Sequence, residues 1–203
     1  MPPLIGLFGG TFDPPHIGHL ILADEAYAQL GLDRLLWVLT ANPPHKQEKS
    51  ITPLEHRLEM VKLAIAADHR FELSRIEIDR QPPQYALDTV STLARQNPGM
   101  DLTYLMGGDS LSELPTWHKP TRLVAALHSI GVMRRPGDRV DLPALEKIIP
   151  GLTAKVRYLD IPLIDIAAHE IRLRAEQGRP FRYFLLPAVF EYILEHNLYC
   201  RIK

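Results

Sequence analysis

Short apolar runs, each broken off by glycine, proline, histidine or basic residues, recur along this chain and constrain its fold more than any other feature. They lie at residues 4–8, 35–39 ("LLWVL"), 101–106 ("DLTYLM") and 127–133 ("LHSIGVM"). A run of this length bounded by turn signals reads as a strand buried on both faces. Segments of helical period lie between the runs. Residues 17–30 place Leu20, Ala23, Ala26, Tyr27 and Leu30 on a helical repeat, with Gly31 as a C-terminal stop. Residues 54–67 follow Thr52 and Pro53 and carry Glu55 in the first turn, a helix-start pattern. Residues 86–96, 168–177 and 187–196 read as further helices, 71–78 ("FELSRIEI") as an alternating strand, and 156–159 as one more short strand. Residues 138–154 give the least definite pattern.

Strands alternating with helices imply βαβ units and a parallel sheet. The expected fold is therefore α/β, Rossmann-like and doubly wound, with a mainly parallel sheet and helices on both faces. The 203 residues suit one domain, 1–203, with a small C-terminal helical part from about 165. Basic and acidic residues nearly cancel, 23 against 24, so no global field favours nucleic acid or an anionic membrane. No apolar run approaches the ~20 residues of a membrane span. The opening "MPPLIGLFGG" lacks the basic start and long apolar core of a secretory signal. The one cysteine, Cys200, makes no intramolecular disulfide and no C-x-x-C site. A soluble cytoplasmic protein is expected, without nucleic-acid or membrane partners; a homodimer is left open.

The segments that follow the strands share a chemistry. They read "GGTFDPPHIGH", "NPPHK", "GGDSLSELPTW" and "RRPGD". Open α/β sheets bind ligands at the carboxyl ends of their strands. Glycines, histidines, basic residues and an aspartate thus converge on one rim.

His16 and His19 sit where a strand turns into a helix. Three readings are open to them. Either could make only surface hydrogen bonds. A zinc site would need further ligands, and there is no neighbouring cysteine and no H-E-x-x-H pattern. Phosphate binding fits better: a glycine-rich turn into a helix N-terminus offers free N–H groups and the positive end of the dipole. Two imidazoles one turn apart share a helix face. Gly18 between them, with Gly9 and Gly10 at the strand end, allows a ligand close to the backbone. Neither G-x-G-x-x-G nor G-x-x-x-x-G-K-[ST] occurs, so this is a different phosphate loop.

"GGTFDPPHIGH" resembles the (T/H)xGH motif of the nucleotidyltransferase superfamily, and within it the bacterial nicotinate-mononucleotide adenylyltransferases. The likeness continues in family order through "NPPHK", "GGDS", "LPTW", "RRPG" and the final "LPAVFEYILEHNLY". It implies attack of the 5′-phosphate of nicotinate mononucleotide on the α-phosphorus of ATP, giving nicotinate adenine dinucleotide and pyrophosphate in NAD biosynthesis. No covalent intermediate is implied. Mg2+ is implied as a cofactor, held mainly by the polyphosphate and water.

The resemblance also implies roles. His16 and His19 form the catalytic pair, donating to the ATP phosphates. Gly9, Gly10, Thr11 and Gly18 supply backbone contacts. His45, Lys46, Arg134 and Arg172 reach phosphate. Gly107 and Asp109 hold ribose, Trp117 stacks on the pyridine ring, and Tyr85 and Ala86 lie near its carboxylate. Asp13 is expected to be structural, bonding to its own turn, and Trp37 to lie in the core. Trp117, in a loop pattern, is expected outside it.

Two segments depart from the family pattern. The second phosphate motif, roughly I-S-x-T-x-I-R, here reads "IAAHEIR": Ala167 and His169 replace both hydroxyls, and Glu170 adds a charge unhelpful to phosphate. Ala86 stands where the family usually has threonine. Other adenylyltransferases of the superfamily, such as one acting on phosphopantetheine, and a non-catalytic nucleotide-binding protein are the alternatives. A class I aminoacyl-tRNA synthetase also carries "HIGH", but 203 residues without K-M-S-K-S are too few for one.

Overall fold

Side chains along a strand alternate between faces, and the core strands of this chain are apolar at both parities. The computed structural model describes residues 2–41, 51–133, 140–162 and 164–200. Among them lie β1 (Leu4–Gly10), β2 (Arg34–Leu39), β3 (Phe71–Ser74), β4 (Asp101–Gly107), β5 (Ser129–Met133) and β6 (Val156–Leu159). They form one sheet in the order β3-β2-β1-β4-β5-β6, every neighbouring pair parallel. This is the doubly wound order. The chain winds outward from β1 through β2 and β3, then returns to β4 on the other side of β1. The connections leaving β1 and β4 therefore diverge, and a crevice forms at their carboxyl ends.

Helices cover both faces. On one lie α1 (Ile17–Leu30), α2 (Leu54–Ile65), α8 (Ala168–Glu176) and α9 (Pro187–Glu195). On the other lie α3 (Ala86–Gln96), α4 (Gly108–Glu113), α5 (Pro120–Ala126), α6 (Leu142–Ile148) and α7 (Leu152–Lys155). The pleat of β2 shows the division: Leu35, Trp37 and Leu39 join the first core, Leu36 and Val38 the second. Trp37 is fully buried, as expected. Burying a large apolar side chain contributes ~1.5–3 kcal/mol relative to leaving it exposed. Ile171, Ala175, Val189 and Ile193 share their cluster with Phe8 and Trp37, so the C-terminal helices pack into the same core as β1. Gly31 closes α1 in the left-handed region at φ 62°, where glycine costs nothing.

Some expectations need correction. The strand expected over 71–78 stops at Ser74. The Ile78 and Asp79 amides both donate to the Arg75 carbonyl, at 2.8 and 2.9 Å, and close a turn. The alternation continues past Ser74 because Ile76 and Ile78 pack against the cores, while Glu77 is itself buried. The segment after β4 is not a plain loop but α4, a 3-10 turn at Leu114–Thr116, and α5 with Pro120 in its first turn. The strand expected from 127 accordingly starts at Ser129. Residues 141–155 form α6 and α7. Asp141 caps α6 by accepting the Ala144 N–H at 2.9 Å. Glu146 accepts the Gly151 and Thr153 amides at 2.7 Å, which holds its carboxyl below the usual range. Among the described residues no helix is long and apolar enough to cross a membrane.

Candidate active site

β1 ends at Gly10, and α1 begins after six intervening residues. The intervening turn is built around Phe12. Its backbone sits in the left-handed region at φ 46°, which is strained for a residue with a Cβ. Burial of its ring offsets that strain. Phe12 is 2% exposed and packs on Phe8 and Trp37, with centroids 5.5 and 4.9 Å away. The same aromatic floor supports His19, whose ring meets Phe12 edge-on at 5.1 Å. A Cβ on Gly10 would lie 2.7 Å from the Phe12 ring, so glycine is needed for the turn to close.

The two imidazoles interact with each other. Their rings stack at 3.7 Å with 29° between planes. His16 is the N-cap of α1, in extended conformation, and its carbonyl accepts the His19 N–H at 2.9 Å. In return, His19 Nδ1 accepts the His16 N–H at 3.1 Å. A neutral imidazole that accepts at Nδ1 carries its proton on Nε2. The cap thus fixes His19 as an Nε2 donor. The amides of Ile17 and Gly18 precede the first bond of the helix and face its positive end. The room that glycine leaves at position 18 holds the His16 ring: a Cβ there would meet its Nδ1 at 3.0 Å. At Gly9 a Cβ would sit 3.2 Å from the Tyr104 hydroxyl.

Two buried charges pin this loop. Arg57, on α2 and 2% exposed, donates to four backbone carbonyls: Thr52, Thr11, Thr40 and Ala41, at 2.8–3.0 Å. It ties the β1–α1 loop to the end of β2. Desolvation pulls its pKa down, and Asp13 opposes that. Asp13, 5% exposed, is structural as expected, but it reaches beyond its own turn. It accepts the Tyr199 hydroxyl at 2.6 Å and the Thr52 amide at 3.3 Å. Arg172 Nη1 donates to its carbonyl at 2.6 Å and lies 3.9 Å from its carboxylate. Arg172 is therefore brought to the β1–α1 loop, from α8 and through Asp13. Thr11 contributes a carbonyl to Arg57.

Across the crevice, Gly107 caps α4 and Asp109 sits in its first turn, exposed, accepting the Ser110 amide at 2.8 Å. Trp117 is half-buried rather than clear of the core. It stands edge-on to Tyr104, centroids 5.9 Å apart at 79°, and packs on the second hydrophobic cluster. Tyr85 caps α3, and its exposed ring stacks on His118 at 4.1 Å and 15°. Ala86 is the first residue of α3.

In "IAAHEIR", Ala167 is the N-cap of α8, without a side-chain cap, and His169 is exposed. The Glu170 charge is neutralised: Arg174 and Arg179 both approach it at 3.1 Å. His45, Lys46 and Arg134 lie outside the described residues.

Sequence reasoning missed Arg57, Tyr199 and His118. Arg57 had a local signal. It falls on the buried stripe of α2 with Met60, Val61 and Ala64, where a charge is out of place. Tyr199 and His118 had none, because their partners lie 186 and 33 positions away.

A doubly wound sheet with a glycine-rich turn, a capped imidazole pair and an aspartate at its switch point defines a nucleotide-handling α/β protein. Comparison with known proteins narrows the class. Residues 7–175 match the family model described as cytidylyltransferase-like. The chain is 44% identical, over 98% of its length and 92% of the relative's, to a Thermomicrobium roseum protein named "probable nicotinate-nucleotide adenylyltransferase". It is 38% identical to the nicotinate-nucleotide adenylyltransferase of Bacillus subtilis, over 96% of its own length and 97% of the relative's. The solved Plasmodium falciparum nicotinic acid mononucleotide adenylyltransferase complexed with NaAD shares the fold at a TM-score of 0.79, with 20% identity and 97% of each chain covered. The chain belongs to the cytidylyltransferase-like family and, within it, to the nicotinate-nucleotide adenylyltransferases.

Proposed function

We propose that this protein transfers the adenylyl group of ATP to nicotinate mononucleotide, giving nicotinate adenine dinucleotide and pyrophosphate. The observation that carries the reading is the imidazole pair at the mouth of α1, locked by reciprocal capping at the switch point of the sheet. In this reaction an oxygen of the mononucleotide 5′-phosphate bonds to the α-phosphorus. The bond from that phosphorus to the bridging oxygen breaks, and pyrophosphate leaves with the electron pair. The protein contributes position and charge stabilisation. His19 donates from Nε2, and His16 lies against it. The first amides of α1 add further donors. Arg172 keeps its bond to Asp13 while its guanidinium offers other N–H groups to phosphate.

Asp109 accepts from a ribose hydroxyl, and Trp117 offers its flat face to the pyridine ring. With Ala86 in place of a hydroxyl, the carboxylate of the acceptor is met by backbone N–H. Magnesium enters with ATP as part of the co-substrate. Its ligands are expected to be mainly polyphosphate oxygens and water. We place the reaction in the cytoplasm, where Cys200 stays a free thiol.

The test is pyrophosphate release with Mg-ATP and nicotinate mononucleotide, nicotinamide mononucleotide or phosphopantetheine as acceptor. Release with the acid far above the other two is expected. Equal rates with acid and amide would show that Ala86 relaxes selectivity. Release with phosphopantetheine alone, or with none, would overturn the assignment.

A further inference from the structure

The connection from β3 to α3 carries a buried polar chain that the mechanism leaves unused. Glu77 is 7% exposed, and its Oε1 accepts the Thr89 hydroxyl at 3.0 Å. A hydroxyl that donates its proton to the carboxylate keeps lone pairs to accept. Arg80 Nη2 donates to that same oxygen at 3.2 Å and to the Tyr85 carbonyl at 3.3 Å. The guanidinium and carboxylate are thus coupled through one hydroxyl, and Arg80 joins the Asp88 and Thr89 amides, at 3.0 and 3.1 Å, in holding the Tyr85 carbonyl. Gln84 shortens the loop further by donating to the Arg80 carbonyl at 3.1 Å. Arg80 Nε and Nη1 are buried and have no hydrogen-bond partner among the described residues. Burial pushes the Glu77 carboxyl up, against the Thr89 bond and the attraction of Arg80.

A buried carboxylate and a half-buried guanidinium that meet only through a shared hydroxyl, with donors left unmatched, make a poor stabilising device. Its position suggests another use. Tyr85 stacks on His118, the residue after Trp117. Trp117 meets Tyr104 edge-on, and the Tyr104 hydroxyl borders Gly9 at the end of β1. Glu77 also raises the pKa of Tyr104, second to burial, so it lies close to this aromatic group. The polar chain therefore sits behind the wall that faces the acceptor.

We propose that Arg80 is a positioning residue for the acceptor: through Thr89 and Glu77 it fixes the Tyr85–Ala86 corner and so sets affinity for the mononucleotide but not for ATP. The inference rests on the adenylyl-transfer reading above. Arg80→Met keeps length and removes the donors; Arg80→Lys keeps the charge and one point of contact.

Steady-state kinetics of both variants, varying nicotinate mononucleotide and Mg-ATP in turn, are run beside hydrogen exchange of residues 85–89. Arg80→Met is expected to raise the KM for the mononucleotide about tenfold, the scale of one hydrogen bond. The KM for ATP should stay within about twofold. Exchange at 85–89 should accelerate, and Arg80→Lys should recover part of both effects. Equal rises in the two KM values, or an unchanged mononucleotide KM, would overturn the proposal. If the wild type itself releases no pyrophosphate with this acceptor, the functional reading fails, and unchanged protection of 85–89 in Arg80→Met then rejects the positioning role too. Should Arg80→Met not fold, Thr89→Val is read by the same criteria.

Discussion

The two sides of the crevice are held in different ways. The β1–α1 loop is fastened by residues from remote parts of the chain: Arg57 from α2, Tyr199 from beyond α9 and Arg172 from α8. The opposite side is held largely by neighbours. Asp109 bonds to the next residue and Arg80 to a carbonyl five positions on, while the exposed Tyr85 ring stacks on His118 from a more distant part of the chain. The first arrangement suits a group whose charge distribution must be met without rearrangement. The second rests on contacts close in sequence, the Arg80 bond to the Tyr85 carbonyl among them.

That contrast can be broken from the rigid side. His16→Ala or His19→Ala should lower kcat on the order of 10²–10³-fold, as loss of a preorganised donor does, with circular dichroism unchanged. Near-wild-type turnover in either would remove the imidazoles from the reaction. Arg57→Ala leaves four carbonyls without their donor and should cost about 3 kcal/mol of stability, read from urea unfolding. A loss below about 1 kcal/mol would mean that water replaces the guanidinium and that the loop is less fixed than drawn.

The opposite side responds differently. Trp117→Ala should raise the KM for nicotinate mononucleotide about tenfold while sparing ATP, the scale of a lost aromatic stack; parallel losses would contradict the division. The mildest change is Tyr199→Phe, which removes one hydrogen bond to Asp13 and should cost about 1 kcal/mol near neutrality. It also has a pH signature. Burial, then the nearby Asp13, raises the Tyr199 pKa above its ordinary value of 10.0. The stabilisation is therefore fully present below about pH 10 and is lost as pH rises further, because only the unfolded chain then releases the proton. Melting temperatures from pH 8 to 11 should fall less steeply in the phenylalanine variant.

Much of this was legible from the chain itself, for reasons that differ by element. Residues 17–30 and 86–96 form helices with the bounds their periodicity gives, because apolar spacing and a stop signal are local. The end of β3 is not legible because Glu77 turns inward to the Thr89 hydroxyl of α3, a contact that no alternation pattern encodes. The short helices α4 and α5 carry too few residues for a period to emerge. At the site, the motif residues on β1 and α1 could be named in advance, since their chemistry is set by position in one turn. Asp13 was correctly placed as structural, yet its partners come from residues 52, 172 and 199 and could only be seen once folded. Arg57 is the instructive miss: a cation in an apolar register is a local anomaly, and such anomalies point to buried frameworks.

The bond between Tyr199 and Asp13 bears on how the protein is made. On the ribosome, the β1–α1 loop emerges some 186 residues ahead of its fastening. Until then the loop lacks the hydroxyl that holds its aspartate, and the helices that complete its core are still unmade. A nascent or prematurely terminated chain thus carries the whole "HIGH" sequence without the hydroxyl bond and the helix packing that hold its loop.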